Sequence, residues 1–264
     1  MENDWKRLKV TGLYKQFSRG PVVLSNIDLT VDRGAFMCIL GPSGSGKSTL
    51  VDLIAGFEPP TDGRIAFDDS PIHGPGPDRV VIFQDIGNAL FPWLTVLENA
   101  EFGLKNFVRN KNERRAQAME ALELVGLGND THKFPSELSG GMKQRAQIAR
   151  GLVMDPHVLI MDEPFAALDA ITRRRMQYEL KDLWERTHKT VIFVTHDITE
   201  ALILATDVTV LSSGPEARIL DTFRPELPDE RDPADAEFIA AYRHIESLIG
   251  HVHDAGDVRA ETAQ

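Results

Sequence analysis

The segment Gly41–Thr49, GPSGSGKST, constrains this chain more than any other part of it. A glycine, four residues, then glycine, lysine and serine follow the mostly apolar run Ala35–Leu40 and precede a helical pattern ending near Gly56, which spells strand, glycine loop and helix. The glycines permit backbone angles that aim successive N–H groups inward, and the helix beyond adds the positive end of its dipole. The resulting nest, Gly41, Pro42, Ser43, Gly44, Ser45, Gly46, Lys47, Ser48 and Thr49, suits a polyphosphate. In such a nest Lys47 bridges the β- and γ-phosphates and Ser48 ligates Mg²⁺.

The surrounding pattern agrees with a strand–loop–helix core. Strands are expected at Leu8–Phe17, Asn26–Val31, Gly63–Asp68 and Arg79–Gln84, then at His157–Asp162 and Thr190–Thr195 with the long amphipathic stretch Ala170–His188 between the last two. That βαβ order predicts a largely parallel sheet. From about Leu90 to Val153 helical periodicity replaces the strand signal, with Glu113–Leu127 the clearest case. A hairpin is expected at Asp207–Leu211 and Ala217–Asp221, then a terminal helix and a loose end. At 264 residues, 42% hydrophobic and 26% charged, the chain can bury one large α/β domain with a subdomain. No stretch nears the roughly 18 apolar residues of a membrane span, and the first residues lack the apolar core of a signal peptide. A net charge of -11 repels a phosphate backbone, which argues against a nucleic-acid partner. The single cysteine, Cys38, is read as a small buried hydrophobe.

Two further sites carry chemistry. Asp162 and Glu163 end the apolar strand VLIM, where Asp162 can hold Mg²⁺ and Glu163 can orient or deprotonate an attacking water. Ser139, followed by Gly140 and Gly141, opens an amphipathic helix, so that a hydroxyl and bare N–H groups face outward at a positive dipole end. By itself Ser139 reads first as a simple helix cap, and only its company with the other motifs turns it into a binding residue.

LSGGMKQRAQIAR, Leu138–Arg150, resembles the signature of ABC ATPases, and the resemblance extends from Leu8 to about Leu211. It implies a P-loop NTPase of ABC type: an α/β fold with a mostly parallel core sheet, an N-terminal antiparallel β subdomain and a helical subdomain at about 90–153. Residues 1–250 would form the ATPase domain and 251–264 a flexible C-terminal tail. It further implies that Gln84 senses Mg²⁺ and water, that His196 contacts the γ-phosphate, and that AALDA at Ala166–Ala170, with Asp169, meets the second subunit around the nucleotide. Phe17 matches the aromatic position that stacks on adenine, with Tyr14 a competitor and a core role open for either. Met142 stands where the family usually carries glutamine, whereas Ser139 and Gly141 are intact.

LFPWLTVLENA, LSGGMKQR, DEPFAALDAITR and THDITEAL resemble importer ATPases of the nitrate, sulfonate and taurine group, apart from Ala166 where glycine is common. The resemblance implies ATP hydrolysis with Mg²⁺ and a head-to-tail dimer that sandwiches ATP between the phosphate loop of one copy and the signature of the other. It also implies transmembrane permease subunits, indirectly a substrate-binding protein, and a peripheral place on the cytoplasmic face of the cell membrane. Alternatives are an exporter ATPase, a subunit that binds ATP without cleaving it, and an ATPase acting on DNA. The last usually inserts long coiled coils between loop and signature, for which the span Lys47–Leu138 shows no sustained heptads. In ALFPWL, Ala89–Leu94, Trp93 either anchors the helical subdomain to the sheet or lines a groove for a short helix of the permease.

Overall fold

A computed structural model describes residues 5–84 and 89–261, with side chains as far as residue 250. In chain order the elements are β1 (Arg7–Gln16), β2 (Val22–Asp32), β3 (Phe36–Leu40), α1 (Lys47–Ala55), β4 (Asp62–Phe67), β5 (Ser70–Pro71), β6 (Arg79–Ile82), α2 (Val96–Glu101), α3 (Lys111–Leu124), α4 (Gly140–Leu152), β7 (Val158–Asp162), α5 (Ala170–Thr187), β8 (Thr190–Thr195), α6 (Ile198–Leu204), β9 (Asp207–Leu211), β10 (Ile219–Phe223) and α7 (Ala236–Glu261). They fall into two compact units, Met1–Pro75 with Thr190–Gln264, and Gly76–Lys189.

The first unit holds two sheets. β1 alternates buried and exposed side chains and pairs antiparallel with β2 and β4, in the order β2-β1-β4-β5, as a sheet with one wet face does. β3, FMCIL, is buried at all five positions and lies parallel to both β8 and β9, which is why it reads as an unbroken apolar run. β10 closes this sheet as the antiparallel arm of the expected hairpin. Cys38, central in β3, is fully buried, and burial pushes its thiol pKa well up, so it packs as a hydrophobe. α7 docks where His244 meets Asp221 at 3.0 Å and lies edge-on to the Phe223 ring at 5.0 Å. Arg231 donates to the carbonyls of Leu202 (2.6 Å) and Ala205 (2.7 Å), covering the C-terminal end of α6. Over the segment 251–264, expected as a flexible tail, the backbone to Glu261 continues α7, and residues 262–264 lie outside the described residues.

The second unit pairs β6 with β7 in parallel and carries the expected helices as α2, α3, α4 and α5. α5 buries Met176, Gln177, Leu180 and Leu183, one stripe at helical spacing, and stops at His188 in the left-handed region, φ 49°. α2 is short and held at its start by a capping box: Thr95 Oγ1 accepts from Glu98 N at 3.3 Å while Glu98 Oε2 accepts from Thr95 N at 2.8 Å. Among the described residues no helix is long and apolar enough to cross a membrane.

Phe193 of β8 is fully buried, its ring centroid 5.9 Å from that of Phe36, whereas Phe107 is 60% exposed. Phe193→Ala should therefore cost about 3–5 kcal/mol in urea unfolding, and Phe107→Ala about 0.5 kcal/mol or less. Equal losses would contradict this assignment of the core.

Candidate active site

The phosphate loop leaves β3 at Gly41 and enters α1 at Lys47. Gly44 (φ 79°) and Gly46 (φ 81°) are both left-handed and flank Ser45, the alternation that turns backbone N–H groups to one side. At Gly46 a Cβ would come within 2.8 Å of Leu24 Cδ2, so the position excludes a side chain on space as well as on backbone angle. Lys47 has a buried stem, and its ammonium donates to the carbonyls of Gly41 (2.7 Å) and Pro42 (2.9 Å), spanning the loop. Ser45 Oγ is buried without a hydrogen-bond partner among the described residues. Ser48 is exposed in the first turn of α1. The nest, the helix end and the cation fit a polyphosphate.

His196 lies in the same unit, exposed immediately after β8. Its neighbours are fixed: Thr195 Oγ1 donates to Glu200 Oε2 at 2.6 Å and accepts from Asp197 N at 3.0 Å, while Asp197 caps α6 by accepting from Thr199 N (2.8 Å) and Glu200 N (3.2 Å). Thr195 and Glu200 are both buried, so the imidazole stands on a clamped strand-to-helix corner. Phe17 also belongs to this unit, in the turn between β1 and β2. It is 43% exposed, with the Lys15 ammonium 4.4 Å from its ring centroid. That exposure removes the core role for Phe17, while Tyr14 is half-buried.

The second unit holds the remaining candidates. Gln84 is exposed two residues beyond β6, and residues 85–88 lie outside the described residues. Asp162 closes β7, and Glu163 follows in the left-handed region at φ 43°, a conformation costing a non-glycine residue about 1–3 kcal/mol. Ala166 N donates to Glu163 O at 3.2 Å and Leu168 N to Phe165 O at 3.1 Å, so the turn after the glutamate is tight and self-bonded.

Ser139 caps α4, its hydroxyl accepting from Met142 N at 3.3 Å, and Ser139 and Gly140 are exposed. A Cβ on Gly140 would sit 3.3 Å from Leu168 Cδ2, and one on Gly141 3.2 Å from Thr172 Cγ2. The structure thus brings the serine-glycine helix end against the turn that carries Asp169. This carboxylate caps α5, accepting from Thr172 N at 3.0 Å, and that backbone hydrogen bond holds its pKa below the ordinary value.

Two polar clamps escaped the sequence reading. Arg150, near the end of α4, donates to Ala89 O at 2.6 Å, and burial lowers its pKa. Asn99, on α2, is fully buried and bonded to the loop before it. The available signal was a lone amide on the inward side of an apolar helical turn directly after an aromatic run. Trp93 is 70% exposed, which rules out internal anchoring as its role.

Comparison with known proteins gives concordant results. A family model described as ABC transporter matches residues 24–166. The chain is 49% identical to the nitrate import ATP-binding protein NrtD of Synechocystis sp. (strain ATCC 27184 / PCC 6803 / Kazusa) over 211 residues, covering 79% of each. It is 46% identical to the taurine import ATP-binding protein TauB of Yersinia pestis bv. Antiqua (strain Antiqua) over 208 residues, covering 79% of this chain and 80% of that one. Against the bicarbonate transport ATP-binding protein CmpC of Synechococcus elongatus (strain ATCC 33912 / PCC 7942 / FACHB-805), identity is 44% over 230 residues, covering 86% of this chain but 34% of that longer relative. Among solved structures, cbiO1 from Clostridium perfringens, described as part of the ABC transporter complex cbiONQ, superposes with a TM-score of 0.76 at 32% identity, covering 84% of this chain and 90% of that one. The ATP-binding cassette MJ0796, a dimer bound to ADP and Pi, gives 0.69 at 33% identity, covering 82% and 98%.

The Asp169 cap sets a pH dependence. A carboxylate whose folded pKa is lowered binds fewer protons than in the unfolded chain, so its contribution is full above the unfolded value and vanishes as pH falls through the folded one. Between about pH 5 and about pH 3 the urea midpoint of the wild type should fall further than that of Asp169→Asn, which caps without titrating. Equal falls would show that this carboxylate does not carry the effect.

Proposed function

The chain belongs to the ABC transporter family, and on that premise we propose that it is the ATP-hydrolysing subunit of an importer, working as a dimer at the cytoplasmic face of a membrane. What supports this reading is the presence, in one chain, of two different anion-binding helix ends: the glycine nest at α1 and the open, serine-capped start of α4. One helix end can cradle the phosphates of a bound nucleotide, and the other is exposed for a nucleotide held by a second copy. The MJ0796 relative is described as a dimer bound to ADP and Pi.

In the proposed reaction a water oxygen attacks the γ-phosphorus, Glu163 accepts the proton, and the bond to the β-phosphate oxygen breaks to leave ADP and phosphate. Lys47 exchanges its carbonyl partners for phosphate oxygens, a stronger charge-assisted pairing. His196 contacts the γ-phosphate from its clamped corner, and Gln84 orients the water. Mg²⁺, when bound, would neutralise charge on the phosphates, and Ser48, Gln84 and Asp162 are the residues of this chain that would hold it. All three stand exposed or half-exposed at element ends and offer the hard oxygen ligands this ion takes. Phe17 stacks on the adenine ring, and Asp169 with Ser139, Gly140 and Gly141 approaches the nucleotide of the second copy.

The relatives named for nitrate, taurine and bicarbonate point to small anions or organic sulfur and nitrogen compounds as cargo. Cargo choice belongs to permease subunits and a capture protein, and the exposed aromatic loop around Trp93 is where the permease docks.

The proposal is tested by Glu163→Gln. Turnover should fall by about 10²- to 10⁴-fold, while ATP at about 100 times its dissociation constant still stabilises the fold by roughly 2.7 kcal/mol. Normal turnover in this variant would refute the base assignment. Trp93→Ala should lower membrane recruitment and coupled transport more than nucleotide affinity, with stability reduced by about 0.5 kcal/mol or less because the ring is exposed. A loss of about 3–5 kcal/mol with normal coupling would mean that the ring packs rather than docks.

A further inference from the structure

The loop entering α2 displays a group of aromatic rings on irregular backbone. Phe91 lies 5.6 Å from Trp93 and 4.4 Å from Phe102 between ring centroids, with the Arg150 guanidinium 5.8 Å from Phe91 and the Lys105 ammonium 5.0 Å from Phe102. Rings held in water on a loop gain by collapsing onto the nearest apolar surface, so a loop that keeps Trp93 exposed needs a restraint.

Asn99 is that restraint. Its side chain is fully buried and turned back onto the loop, with Oδ1 accepting from Phe91 N at 2.8 Å. Its Nδ2 points at three carbonyls: Phe91 O at 3.1 Å, Leu94 O at 2.9 Å and Thr95 O at 3.0 Å. Leu94 N donates to Phe91 O at 3.1 Å and closes the same turn. One amide therefore ties the segment 91–95 together on both sides of Trp93, accepting from the Phe91 N–H and sharing its two hydrogens among three carbonyls. A carboxylate of the same shape could keep the Phe91 N–H but would set lone pairs against three carbonyl oxygens. An aliphatic residue would leave the Phe91 N–H and the Leu94 carbonyl without this partner, while Phe91 O keeps Leu94 N and Thr95 O keeps Asn99 N.

We propose that Asn99 is a positioning residue for the docking of the membrane partner: it holds the backbone of 91–95 so that Phe91 and Trp93 are presented in one fixed geometry. The inference rests on the reading of the aromatic loop as the permease-docking surface. Pre-ordering the loop removes the cost of ordering it at each encounter with the partner.

The test uses the full chain produced together with the transmembrane subunits of its transporter, and measures the fraction bound to membranes. The purified chain is assayed alongside for ATP KM and basal turnover. Asn99→Asp should lower membrane binding about tenfold with KM and basal turnover within about twofold of wild type. Combined with Trp93→Ala, it should add little to the loss caused by Trp93→Ala alone, because both act on one docking unit. Asn99→Ala gives the same readout free of the carboxylate repulsion, should the aspartate chain not fold. Losses that multiply, or a parallel fall in basal turnover, would overturn the proposal in favour of a general structural role. If Trp93→Ala itself binds membranes normally, the docking surface is wrong. If Trp93→Ala binds weakly and the Asn99 variants bind as wild type, only the role of Asn99 falls.

Discussion

The contact between Gly46 and Leu24 sets the geometry on which the phosphate-binding unit depends. β3 is buried on every side and has to stop where α1 begins, and the only backbone that makes the turn without driving a side chain into β2 is a left-handed glycine. Leu24 is itself fixed from behind, bridged to Ala217, while Ser25 N donates to Ala217 O at 3.0 Å. The antiparallel sheet, the hairpin after β9 and the phosphate loop therefore share one point of support. An error in any of them would be transmitted to the backbone N–H groups of the glycine loop.

In the other unit the equivalent rigid piece is α4. Its 13 residues span about 20 Å, with Ser139 capping one end and Arg150 gripping the aromatic loop near the other. Along its inner side Gln144 and Gln147 are buried, with no hydrogen-bond partner for either side-chain amide among the described residues. The helix joins its serine-capped end to the end that grips the aromatic loop without an intervening hinge.

Where chemistry is local in sequence it was legible. GPSGSGKST encodes strand end, nest and helix start within nine consecutive residues, and FMCIL declares a central parallel strand by having no polar face. Asp162 and Glu163 were visible as acids after an apolar strand, but the left-handed backbone that aims Glu163 was not, because glutamate carries no preference for it. Asn99 was hidden for a different reason: its partners are carbonyls, which every residue has, so no letter pattern marks them. Likewise LFPWL reads as five apolar or turn residues, and only the folded chain separates Leu90, buried, from Trp93, exposed. α6, ITEALIL, is too short and too apolar for a helical period to emerge.

The Lys15 ammonium bonds Glu58 Oε2 at 3.0 Å and Pro59 O at 2.8 Å while resting against the Phe17 ring. Tethered in this way, it occupies one side of the aromatic plane and draws on its π electrons. Flat stacking engages purine and pyrimidine faces alike and reads no donor or acceptor on the base edge. Under the proposed stacking, such a ring would grade nucleobases by area and polarisability rather than by their edges, leaving discrimination among triphosphates a matter of degree.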